Sequence, residues 1–134
     1  MTGAAAALRY RGAFDVVFPA IRTLRGLEPS RPEGRTHGHD FTARFVFEAA
    51  ALVYPGVVVD ADIRDEVNRH VTDRLAYRDL DRLLGRPPTC EAIAEHLARW
   101  FVNSARPPGD ATLLSIAVTT GSGEHGEIIL PVTP

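Results

Sequence analysis

Between Phe41 and Val53 the chain alternates, with Phe41, Ala43, Phe45 and Phe47 on one face and Thr42, Arg44 and Glu48 among the positions on the other. Successive side chains of a strand point to opposite faces, so this period of two predicts a β-strand that is apolar on one side only. The remaining elements have to cover that face. Leu8 to Ala20, with Tyr10, Phe14, Val16, Val17 and Phe18, reads as a first strand ending near Pro19. Ala111 to Thr120 and Gly126 to Val132 read as two more, joined by the hairpin connection Gly121-Ser122-Gly123-Glu124-His125.

Between the two strand pairs the period changes. After Tyr54-Pro55-Gly56 and Val57-Val58-Val59-Asp60, the residues Ile63, Val67, Val71 and Leu75 recur every four positions, opposite Arg64, Glu66, Arg69 and Asp73. That is an amphipathic helix with one buried stripe. A second helix follows Pro87-Pro88, with Thr89 as N-cap, Glu91 in the first turn and the stripe Ile93, Leu97, Trp100 and Phe101, and it ends before Pro107-Pro108-Gly109. The Trp100-Phe101 pair is most simply core. The predicted fold is α+β: two strands, two helices and two strands, forming a four-stranded antiparallel sheet with both helices on one face.

At 134 residues this is one domain with its own core. All basic residues are arginine, and a net charge of −2 leaves no basic excess to neutralise a phosphate backbone, which argues against nucleic acid as a partner. The single Cys90 excludes an intrachain disulfide and a cysteine-based zinc motif. No apolar stretch approaches the length of a membrane span, and Met1 to Leu8 lacks the features of a signal peptide, so the expected compartment is the cytoplasm.

Chemistry concentrates where the long loop Gly26 to Gly38 becomes the alternating strand, in Thr36-His37-Gly38-His39-Asp40-Phe41. In extended backbone His37 and His39 share a face, and both imidazoles could reach one Zn²⁺ at about 2.0–2.1 Å. A zinc site normally needs a third protein ligand. His125 or Glu33 supplies one only if the loops converge; otherwise the two histidines hold the loop by hydrogen bonds.

The element order and four motifs resemble the 6-pyruvoyltetrahydropterin synthase and 6-carboxytetrahydropterin synthase family, which has the tunnelling fold. The motifs are His37-Gly38-His39-Asp40-Phe41, Val57-Val58-Val59-Asp60, the Leu75 to Asp81 segment and Pro88-Thr89-Cys90-Glu91, and the match runs from about Tyr10 to Leu130. The resemblance implies a homo-hexamer of two stacked trimers, with pterin pockets between subunits and zinc held by three histidines. Here Phe18-Pro19-Ala20-Ile21-Arg22 matches the motif that ends in the first of these, so Arg22 stands at a ligand position. A protonated guanidinium has no lone pair for a metal.

The family's cysteine position matches Glu33, and its activating Asp-His pair matches Ala76 and Tyr77. A phenol with pKa near 10 is a poor base at neutral pH. Pterin recognition by a carboxylate, which accepts two parallel hydrogen bonds from the 2-amino and ring N–H edge, is retained at Glu91. Glu91 can equally be read as a first-turn acid favoured by the helix dipole. The family's Glu-Thr pair reads Thr119-Thr120, leaving Thr120 and putting Glu124 or Glu127 forward as the replacement carboxylate.

The resulting expectation is a diverged homologue with no zinc and no catalytic triad. It keeps a pterin-binding pocket that includes Thr89, Cys90, Glu91, Thr120 and Glu124. The alternative is a metal-independent, lyase-like enzyme acting on a pterin or purine-like substrate through Glu33 and Tyr77. A third reading is an assembly protein with an empty pocket. Cys90 is expected to be structural rather than reactive, and Arg22 could bind a ligand phosphate or carboxylate in place of metal.

Overall fold

The computed structural model describes residues 8–22, 37–107 and 109–131, with His37 and Gly38 described through their backbone alone. Glu33 lies outside the described residues. The element order is β1 (Tyr10–Arg22), β2 (His37–Ala49), α1 (Ala61–Arg74), α2 (Leu80–Leu84), α3 (Cys90–Ser104), β3 (Thr112–Thr120) and β4 (His125–Ile129). The four strands form one antiparallel sheet in the order β1-β2-β3-β4. The expected strand and helix order is present, and the five-residue α2 is an addition too short to show a helical period.

Alternation decides which face is buried. Val16, Phe18 and Ala20 of β1, Phe41, Ala43, Phe45 and Phe47 of β2, and Leu113, Ile116 and Val118 of β3 are all buried. Phe14 stacks on Phe45 and Phe18 on Phe41, with ring centroids 5.3 and 5.5 Å apart. Phe101 of α3 closes over Phe45 and Phe47. The opposite face carries ion pairs, with Asp15 and Arg44 paired across strands at 2.8 Å and Glu48 joined to Arg9 and Arg11, beside exposed apolar residues such as Val17 and Ile129.

Both long helices begin as expected. Asp60 caps α1 by accepting from the Ile63 amide at 3.2 Å, and the Thr89 hydroxyl caps α3 by accepting from the Ala92 amide at 3.1 Å. Ile63, Val67, Val71 and Leu75 are buried, as are Ile93, Leu97 and Phe101. Trp100 packs against the core from its edge. It is only half-buried, and its indole stacks on His70 of α1 at 3.9 Å and 8°.

β1 runs two residues past the expected end, and the reason is geometric. In a strand a residue's N–H and C=O point to the same side, and the Pro19 carbonyl accepts from the Tyr77 amide at 2.7 Å, away from β2. The donor that proline lacks therefore faces the sheet edge, and the ladder continues through Ile21 and Arg22. At its far end β2 stops at Ala49 instead of Val53, because the Asp110 carboxylate takes the Ala50 and Ala51 amides at 2.9 and 3.4 Å.

Candidate functional site

One end of the sheet gathers the candidate residues. The last inward position of β1 is Arg22, which follows Val16, Phe18 and Ala20 in the alternation and lies opposite His37 in register. Its side chain is fully buried and crosses the face of Phe41, with Cζ 5.5 Å from the ring centroid. Nη2 donates to Glu124 Oε2 at 2.5 Å, and Nη1 donates to the Pro88 carbonyl at 3.3 Å. Nε is buried with no hydrogen-bond partner among the described residues. A buried guanidinium is tolerable only with a counter-charge, and Glu124 supplies it from the β3–β4 hairpin.

Thr120 explains why Glu124 is in place. This buried threonine accepts the Glu124 amide on Oγ1 at 3.2 Å, shares a hydrogen bond with Ser122 Oγ at 3.0 Å, and donates its own amide to the Glu124 carbonyl at 3.0 Å. Two other hairpin candidates separate from the cluster. His125 pairs with Thr119 and Glu127 with Ala117, so both lie on the opposite face of the sheet and are exposed. Within one chain neither side chain faces the Arg22–Glu124 cluster.

Among the described residues the donor set does not make up a three-ligand zinc site. Arg22 places a cation where the resemblance puts the first histidine, and its charge opposes a second cation there. No cluster of three or more His, Cys, Asp or Glu side chains able to hold a metal occurs among the described residues. His39 is half-buried, with its ring tilted against Phe41 at 5.6 Å.

At the start of α3, the Thr89 hydroxyl is committed to the cap. Cys90 is buried, and burial pushes its thiol pKa up, while Arg22 alongside pulls the other way. The sequence showed no basic partner for Cys90; the fold brings one from β1. Glu91 is exposed, and its carboxylate lies close over Gly126 of β4. Gly126 escaped the sequence reading because nothing in a lone glycine between His125 and Glu127 marks it as a contact for α3.

Tyr77 belongs to a neighbouring feature. The Leu75–Asp79 turn docks on the edge of β1 through Tyr77 N–H to Pro19 O and Ile21 N–H to Arg78 O, at 2.7 and 3.0 Å. Tyr77 is held at φ 61°, a left-handed conformation that costs a non-glycine residue energy and often marks function. A hollow of about 340 Å³ opens there, lined by Pro19, Ala20, Ile21, His39, Asp40 and Tyr77. A larger one, about 590 Å³, lies around Tyr10, Phe14, Val58 and Arg64 at the other end of β1 and includes none of the candidate residues.

The family model for 6-pyruvoyl tetrahydropterin synthase matches residues 13–125. Among solved structures, the chain is similar to 6-pyruvoyl tetrahydropterin synthase of Caenorhabditis elegans, with 14% identity, 92% of this chain and 97% of that one covered, and a TM-score of 0.75. It is also similar to an uncharacterized protein of Wolinella succinogenes, with 16% identity, 91% and 98% coverage and a TM-score of 0.72. A catalytic-residue mutant of Plasmodium vivax 6-pyruvoyltetrahydropterin synthase aligns at 12% identity, 93% and 99% coverage and a TM-score of 0.59. No curated protein matches the chain by sequence. The structural likenesses establish the shared fold, and the family model spans most of the sequence: the chain belongs to the 6-pyruvoyl tetrahydropterin synthase family.

Proposed function

We propose that this protein is a 6-pyruvoyltetrahydropterin synthase homologue that has given up zinc and the synthase reaction and keeps a pocket for a pterin-like ligand. Arg22 carries the reading: a buried guanidinium at the first ligand position, already neutralised by Glu124, leaves neither the lone pair nor the electrostatic opening that a metal needs. Ligand recognition is supported by Glu91, whose carboxylate can take the two N–H groups of a pterin or guanine-type edge. Thr120 supports it indirectly, by holding the hairpin that carries Glu124.

Family membership supports a homo-hexamer of two trimers with pockets at subunit boundaries, and the positions of β1 and β4 as edge strands are consistent with it. No helix among the described residues is long and apolar enough to cross a membrane. A cytoplasmic location is part of the same proposal. The test is a calorimetric titration with pterin and guanine. Binding is expected, weakened about tenfold or more by Glu91→Gln, a loss of about 1.4 kcal/mol. Absence of binding, or equal binding by the variant, would refute the pocket.

The second reading is a metal-independent enzyme using Glu33 and Tyr77, favoured by the strained Tyr77 beside the hollow that holds His39 and Asp40. A carboxylate raised by burial next to a phenol can do acid–base work. Turnover of a bound pterin by metal-free protein, lost in Tyr77→Phe and Glu33→Gln, would select it. A hexamer that no pterin or purine stabilises would select the empty-pocket reading.

A further inference from the structure

Gly126 lies buried on the inner side of β4, opposite Val118 of β3. Its distinguishing property is space. A Cβ on this residue would lie 2.6 Å from the Glu91 amide nitrogen and 2.7 Å from both Cδ and Oε1 of the Glu91 side chain. Real Cβ atoms do not make such contacts. The first turn of α3 and the carboxylate it carries therefore both come down onto bare backbone. An exposed first-turn glutamate ordinarily keeps its rotamer freedom and extends into water. Here the side chain is folded over the strand instead.

We infer that Gly126 is a positioning residue for Glu91, the absent side chain forming a notch that seats the carboxylate at a fixed place against β4. The inference rests on the reading of Glu91 as the ligand anchor and adds a specificity to it. A fixed carboxylate accepts from an adjacent amino group and ring N–H, as in pterin or guanine. It faces a repelling oxygen when a second carbonyl replaces the amino group, as in lumazine or xanthine. A loosely held carboxylate can swing aside and tolerate both, because discrimination depends on leaving a fixed polar group unpaired.

The experiment is a comparison of dissociation constants for pterin and lumazine in the wild-type protein and in Gly126→Ala, with thermal melts alongside. The wild type is expected to prefer pterin about tenfold or more. Gly126→Ala is expected to bring the two affinities within about threefold of each other by weakening pterin alone. Loss of general structure would weaken both ligands equally, so equal loss overturns the inference, as does a preference that survives the substitution. A wild type with no preference overturns the anchor reading and this inference with it. Should Gly126→Ala fail to fold, side-chain couplings of Glu91 measured by NMR in the wild type decide: a single rotamer supports a seated carboxylate, and rotamer averaging overturns it.

Discussion

Val16, Phe18 and Ala20 meet apolar neighbours along the inner face of β1, and Arg22, next in the alternation, meets Phe41, the Pro88 carbonyl and Glu124. The energetics of that pair are asymmetric. Removing one partner strands the other charge in a low-dielectric site, whereas replacing both with uncharged groups can be nearly neutral. Glu124→Gln is expected to cost about 3 kcal/mol of unfolding free energy, at the low end for a broken buried pair because the Glu124 side chain is about one-third exposed. The double variant Arg22→Met/Glu124→Gln should recover most of that loss in urea melts. Equal losses in the two variants would mean that the pair does not neutralise a buried charge. The sequence alignment located Arg22 but not its partner, since Glu124 lies 102 positions away and only the hairpin geometry set by Thr120 and Ser122 delivers it.

At the scale of elements, the helix seam carries a pH response. His70 of α1 stacks on Trp100 of α3, and burial, the neighbouring His96 and Arg74 together push its pKa down to about 4 against the weaker pull of Asp73. His96 is shifted down as well, chiefly by burial and then by Arg86. The unfolded chain takes up protons near the ordinary histidine pKa of about 6.5, while folded His70 stays neutral until about 4. Stability therefore falls as pH drops through that window. The ion-paired carboxylates Asp15, Glu48 and Glu95, whose pKa values are lowered, lose their contribution only below the ordinary carboxylate range. Melts between pH 7 and pH 4.5 should show the decline, and His70→Phe should flatten it; an unchanged slope would place the response elsewhere. The elements themselves were legible wherever a period repeats, as in Phe41 to Phe47 or Ile63 to Leu75. The five residues of α2 offer less than two helical turns, and the continuation of β1 past Pro19 depends on its being an edge strand, which only tertiary structure decides. The stacking of Trp100 on His70 was illegible for a related reason: an apolar stripe gives the facing side of a helix but not its partner.

For the molecule as a whole, the proposed hexamer would build on an apolar inner face covered by α1 and α3, an outer face with ion pairs beside exposed Val17 and Ile129, and two edge strands. Light scattering is expected to give a mass six times that of the 14.6 kDa chain. A monomer at micromolar concentration would remove the basis for a pocket shared between subunits. The two metal-linked features, Arg22 and the His37-Gly38-His39 run, pull in opposite directions, and the proposal of a site without zinc rests on the buried ion pair. The most direct measurement is the zinc content of the purified protein by elemental analysis, after equilibration with zinc and removal of the unbound metal. The account expects far less than one zinc per chain and no change in melting temperature on adding a chelator. One zinc per chain, with a melting temperature that falls on chelation, would contradict it.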